Sequence, residues 1–254
     1  MRNNMKINYL ALGAMFLTSC ALAAVPTVRD GLVEYYGKQG AIVASGKTEG
    51  ILPIAEMSGA NGAYGIGAYE GLDGEITVFE GKPYVTKVRG DTFIMDNSGT
   101  GMAIFAGWTK NTQWRDEPVP AEVTSYLDLQ RFVKSRATAA GIDTSSTPFP
   151  FLLTGTPAEL KWHINVDRTE GKPLTKELFK KSKANYVMKN EPVDIVGFYS
   201  EKHHGVFIGT YSPAITDKGV KNAMHIHLVS KDGKSAGHID DVTFEGGMTL
   251  RLPK

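Results

Sequence analysis

Apolar and polar positions alternate with a period of two over many short stretches of this chain, and with the longer period of a helix over only two. "EITVFEGKPYVTKV" alternates on both sides of a Gly-Lys pair and predicts a hairpin of Glu75–Phe79 with Pro83–Val88. "DTFIMD" and "GMAIFAGW" read as further strands, after a mixed lead-in over Thr27–Ile54. Over Ala121–Ala140 the residues Val123, Leu127, Phe132, Val133 and Ala137 fall near one face, and Gly141 stands where a helix is capped. "TSSTPFPF" (Thr144–Phe151) has the composition of a connector. Beyond it come "FLLTGT", "ELKWHINV", "NYVMKN", "VDIVGFYS", "GVFIGTYS", "AMHIHLVS", "AGHIDDVTFE" and "MTLRLP", all strand-like, with Thr175–Ser182 the one helical interruption. The pattern predicts an α+β, β-rich fold of two mixed β-sheet domains with few helices. The domains are a mixed α/β unit over 25–146 and a β-rich unit over 147–254.

Composition agrees with a folded core: 42% of the 254 residues are hydrophobic and 22% charged, and 28 glycines punctuate the strands. A formal net charge of +1 provides no basic face for nucleic acid. The first residues carry a different message. Arg2 and Lys6, the apolar run Tyr9–Leu17 and the small residues Ala21-Leu22-Ala23 predict a signal peptide over 1–24, and hence a secreted or periplasmic protein. "LTSC" offers an alternative, a lipoprotein signal ending before Cys20 that would leave a lipid anchor there. The apolar run is too short to span a bilayer. With one cysteine in the chain, no internal disulfide forms.

Candidate chemistry concentrates in "NAMHIHLVSKDGKSAGH", which holds three of the six histidines. On a strand, residues two apart share a face, so His225 and His227 project together. The turn residues "SKDGKSAG" would bring His238 back beside them. Three protein ligands and an open fourth position are the pattern of catalytic zinc. A lone histidine is more often a hydrogen-bonded polar group; three converging ones favour a metal. His203 and His204 read as an exposed turn with no role. Glu75, at a strand start after "LDG", reads by spacing alone as an ordinary strand-edge glutamate.

"GIGAYEGLDGEITVFEGKPY", "LTGTPAELK", "GVFIGTYSP" and "MHIHLVSKDGKSAGH", in that order from about Gly65 to Asp241, resemble the bacterial α-acetolactate decarboxylases. The resemblance implies that family's two-domain β-rich fold, zinc held by His225, His227 and His238, and a catalytic place for Glu75. It implies loss of CO₂ from 2-acetolactate, or a similar 2-hydroxy-3-oxo acid, to give acetoin, with the metal as Lewis acid stabilising an enediolate. It also points towards a homodimer.

Three positions depart from the family pattern. Where the strand beginning "LTGT" should bring an arginine to the substrate, this chain has His163, with Arg168 a substitute further along. An acidic residue that the family brings back after the histidine hairpin has no counterpart here other than Glu245. Ala68 stands where the family often has threonine. A zinc hydrolase or cyclase on the same ligands, and a non-catalytic metal-binding periplasmic protein, therefore stay open as alternatives. Cobalt, copper, nickel and iron can use similar ligands.

Overall fold

Short turns between strand-forming segments favour antiparallel pairing, because a parallel neighbour needs a long crossover. A computed structural model describes residues 28–30, 32–209 and 219–254, and in it every pairing between named strands is antiparallel rather than mixed. The strands are β1 Val28–Asp30, β2 Val33–Tyr36, β3 Leu52–Pro53, β4 Ala63–Tyr69, β5 Glu75–Phe79, β6 Lys82–Arg89, β7 Thr92–Asp96 and β8 Met102–Lys110. They continue with β9 Trp114–Pro118, β10 Phe149–Gly155, β11 Glu159–Asn165, β12 Lys183–Lys189, β13 Val193–Tyr199, β14 Met224–Ser230, β15 Ala236–Thr243 and β16 Thr249–Pro253. The helices are α1 Gln39–Ser45, α2 Tyr126–Ala139 and α3 Lys176–Lys181. The signal segment and Cys20 lie outside the described residues.

One eight-stranded sheet runs β1-β2-β8-β4-β5-β6-β7, with β3 on β8, and the other runs β12-β11-β15-β14-β13-β10-β16-β9. The change of sheet falls between Lys110 and Trp114, well before the connector at Thr144–Phe151, because β9 pairs with β16. The helix α2 also belongs with the second sheet. Its Leu129, Val133 and Ala137 pack in one core with Ile195, Ile226 and Leu228. On the opposite face of that sheet, Leu152, Val196 and Phe198 pack against Tyr64 and Ile66 of β4. The second sheet is thus covered on both sides, by a helix and by the first sheet, and β14 is buried along its whole length.

Several local expectations shift. The hairpin turns at Glu80-Gly81, both at positive φ, with Phe79 opposite Lys82, so β6 starts one residue earlier than the alternation suggested. The helix begins at Tyr126, not Ala121: Val119 and Phe244 tie the preceding segment into the ladder of the second sheet, and Ser125 bridges Thr243. Ser125 then caps α2, its Oγ accepting from the Asp128 N–H at 3.2 Å. The buried stripe is Tyr126, Leu129, Gln130, Val133 and Ala137, leaving Leu127 and Phe132 half-buried. Gly141 follows the Ala140 cap as expected. The α3 helix is bracketed by Thr175 and Ser182, the predicted limits. "GVFIGTYS" is not a strand over its described part: the Val206 and Ile208 N–H groups both return to the His203 carbonyl and curl the chain.

Ser125→Ala removes the cap of α2 and is expected to lower stability by about 1 kcal/mol. Urea unfolding followed by circular dichroism measures this, and an unmoved midpoint would refute the capping role.

Candidate metal centre

Directly opposed residues of an antiparallel pair share a face. His163 of β11 lies opposite His238 of β15, and His238 lies opposite His227 of β14. His225, two residues before His227, shares the same face. Four histidines therefore gather on the inner face of the second sheet, the face that meets the first. Gly237 permits this, since a Cβ there would stand 2.7 Å from the His163 carbonyl oxygen and push β15 off β11.

From the first sheet, β5 turns Glu75 and Thr77 towards the histidines while Ile76 and Val78 enter the core behind. Gly74 precedes Glu75 at φ 148° and with its hydrogen against the Thr86 carbonyl, a place open only to glycine. Thr86 Oγ1 donates to the Ala236 carbonyl at 2.9 Å, pinning the sheets together beside the site.

Three ring nitrogens converge. His225 Nε2 lies 3.2 Å from His227 Nε2 and 2.8 Å from His238 Nδ1. His225 Nδ1 meets the Phe207 carbonyl, an acceptor, so Nδ1 carries the proton and Nε2 presents a bare lone pair. His227 Nδ1 sits 3.1 Å from Thr77 Oγ1, which leaves its Nε2 aimed inward. These spacings are close to those of ligands around a tetrahedral zinc, which stand about 3.3 Å apart. The three residues can hold a metal ion. Burial drives all three imidazoles towards the neutral, ligating form: His225 is lowered to about 4, and His227 and His238 well below the usual histidine value.

Glu75 is 3% exposed, with Oε2 3.8 Å from His227 Nε2 and Oε1 3.7 Å from His163 Nε2. Burial raises its carboxyl well above the ordinary range; Lys183 pulls the other way and Asp240 adds to the rise. His163 occupies the centre in a manner unlike an arginine. Its Nδ1 lies 2.6 Å from Asp240 Oδ2, and burial outweighs that partner and lowers its pKa. Burial alone would raise Asp240, but His163 and Lys183 together lower it. Asp240 Oδ1 accepts from Lys183 Nζ at 3.1 Å.

A cavity of about 350 Å³ opens on this cluster, lined by Glu75, His163, His225 and His238, with Phe105 and Phe179 as apolar walls. Gln39 also reaches it, and its Oε1 is buried with no hydrogen-bond partner among the described residues. Arg168 does not enter the cavity; it is exposed, and donates to the Lys183 carbonyl. Glu245 is exposed and lines no part of it. Ala68 faces Glu75 across the β4–β5 ladder, so no hydroxyl touches the carboxyl from that position. His203 is buried rather than exposed, hydrogen-bonded to Ser200 Oγ at 2.7 Å and stacked on Phe207 away from the cavity. Thr77 and Asp240, absent from the sequence expectations, each lie two residues along a strand from a chosen residue, so the period of two could have found them. Gln39 and Lys183 carried no such signal.

Fold and centre together define a class: a protein of two face-to-face antiparallel sheets, with buried histidines between them able to hold a metal ion. A model of the alpha-acetolactate decarboxylase family matches residues 38–252, and the chain belongs to that family of carboxy-lyases. Among characterised relatives, the alpha-acetolactate decarboxylase of Lactococcus lactis subsp. cremoris is 25% identical over 223 residues, covering 84% of this chain and 80% of its own. That of Brevibacillus brevis is 23% identical over 226 residues, covering 89% and 70%. A Staphylococcus aureus protein described as similar to alpha-acetolactate decarboxylase shares the fold at TM-score 0.67 and 20% identity, covering 87% of this chain and 84% of its own. The Bacillus subtilis alpha-acetolactate decarboxylase does so at TM-score 0.63 and 18% identity, with coverages of 87% and 84%.

Thr77→Val removes the hydroxyl that braces His227 and is expected to weaken metal affinity by roughly 10- to 100-fold. Chelator competition measures it; an unchanged affinity would show that Thr77 does not orient the ligand.

Proposed function

We propose that this protein is a zinc-dependent decarboxylase of 2-acetolactate, or of a closely similar 2-hydroxy-3-oxo acid, releasing CO₂ and acetoin. Family membership supports the reaction, and the observation that carries the reading is the convergence of His225 Nε2, His227 Nε2 and His238 Nδ1 beside a buried glutamate. Those three residues would hold the metal, and three imidazoles with open space beyond them suit zinc. When bound, zinc supplies a Lewis acid for the ketone and hydroxyl oxygens of the substrate.

The residues of the chain account for the rest. Departure of CO₂ leaves the electron pair of the broken bond on the substrate, drawn towards the ketone oxygen, and the carbon that lost the carboxylate must then gain a proton. Glu75, on the cavity wall beside His227, is the carboxyl group placed to deliver that proton. His163, fixed by Asp240, stands beside the Glu75 carboxyl at 3.7 Å. Phe105 and Phe179 give the cavity apolar walls. The signal pattern at residues 1–24 supports a secreted or periplasmic location for this activity. No helix among the described residues is long and apolar enough to cross a membrane.

Incubation of zinc-loaded protein with racemic 2-acetolactate is expected to yield acetoin and CO₂ well above the spontaneous rate, and a chelator to abolish the excess. Background turnover by protein carrying one zinc per chain would overturn the proposal. Glu75→Gln is expected to lower kcat by roughly 10²-fold or more while leaving zinc content unchanged. An undiminished kcat in that variant would remove Glu75 from the proton path.

A further inference from the structure

The inner cavity has a second wall, built at the junction of α3 and β12. Asn165 of β11 lies opposite Lys183 of β12, so Lys183 shares the face that carries His163 and His238. Lys183 and Lys180 line the inner cavity, and both also line a more open depression of about 750 Å³ outside it. That outer depression adds Lys181 and Arg168, against a single carboxylate, Asp91. In a chain whose formal net charge is +1, this is a local concentration of positive charge at the mouth of the site.

Lys183 is also held in place. Its Nζ donates to Asp240 Oδ1 at 3.1 Å, Asp240 Oδ2 is engaged by His163 Nδ1 at 2.6 Å, and the Lys183 side chain is 27% exposed. An ammonium has three N–H donors, so two remain for a ligand. His163 cannot serve in its stead, because its Nδ1 is committed to Asp240 and its Nε2 faces Glu75. Lys180, beside it, has no ion-pair partner among the described residues.

We propose that Lys183, with Lys180 beside it, is the carboxylate-recognition group of this site, and that Lys181 and Arg168 extend it outwards as the approach path of an anionic substrate. This deepens the proposed function and rests on it for the identity of the carboxylate. Recognition is by point charges, Lys183 at the start of β12 and Lys180 in α3, rather than by a guanidinium fork. The site then selects small acids by charge at its mouth and by metal chelation at its base.

Two unreactive probes separate these contributions. The anion 2-hydroxy-2-methylpropanoate keeps the carboxylate and tertiary hydroxyl of acetolactate; neutral 3-hydroxy-3-methylbutan-2-one keeps the hydroxyl and ketone. Calorimetric titration of the zinc-loaded full chain reads binding without turnover. Lys183→Gln is expected to weaken the anionic probe roughly tenfold and the neutral probe less than about twofold. Lys183→Arg retains the anion. Lys180→Glu with Lys181→Glu is expected to flatten the loss of anion affinity that the unaltered protein shows between about 50 and about 300 mM NaCl. Equal loss of both probes, anion binding indifferent to all these substitutions, or no binding of the anion by the unaltered protein would each overturn the proposal. Lysine-dependent anion binding without acetolactate turnover would sustain it and refute the decarboxylase reading alone.

Discussion

Everything at this site depends on one register. His163, His238 and His227 stand opposite one another on three adjacent antiparallel strands, and a one-residue slip of any strand would turn its histidine to the other face. The slip is opposed from both sides. Ile226 and Leu228 are committed to the α2 core, while Val196 and Phe198 are committed to the first sheet. The apolar residues that fill the two cores thus also aim the imidazoles.

Burial also sets the electrostatics. The same exclusion of water pushes the three imidazoles towards their neutral form and raises the Glu75 carboxyl, so both shifts arise from a single cause. The opposing charges are kept at the edge. Asp240 holds Lys183 with one oxygen and His163 with the other, linking the dry interior to a cationic mouth. Among the described residues no arginine lines the cavity, yet positive charge reaches it from Lys183 on the strand next to β11.

Much of this was legible in the chain. Period-two alternation located the hairpin of β5 and β6 and seven of the strands beyond the connector, and the pairing of His225 with His227 followed from the same period. Other features were not. The residues just before α2, 121–125, share its helical spacing, but ladder bonds to the second sheet hold them outside the helix. Phe207 looks like strand sequence, but it sits in a curl and its carbonyl accepts a hydrogen bond from His225 Nδ1. Gln39 and Lys183 are polar residues in unremarkable segments, and only folding places them at the cavity.

The sequence by itself determined which residue types could do chemistry and which strand face each occupies, since side-chain direction along a strand is a local property of the backbone. Tertiary structure alone decided what those faces meet: Glu75 and Thr77 against His227, Asp240 against His163, Lys183 against the cavity. Such meetings join residues far apart in the chain, and they depend on strand order within the second sheet and on how the two sheets pack, not on any local spacing.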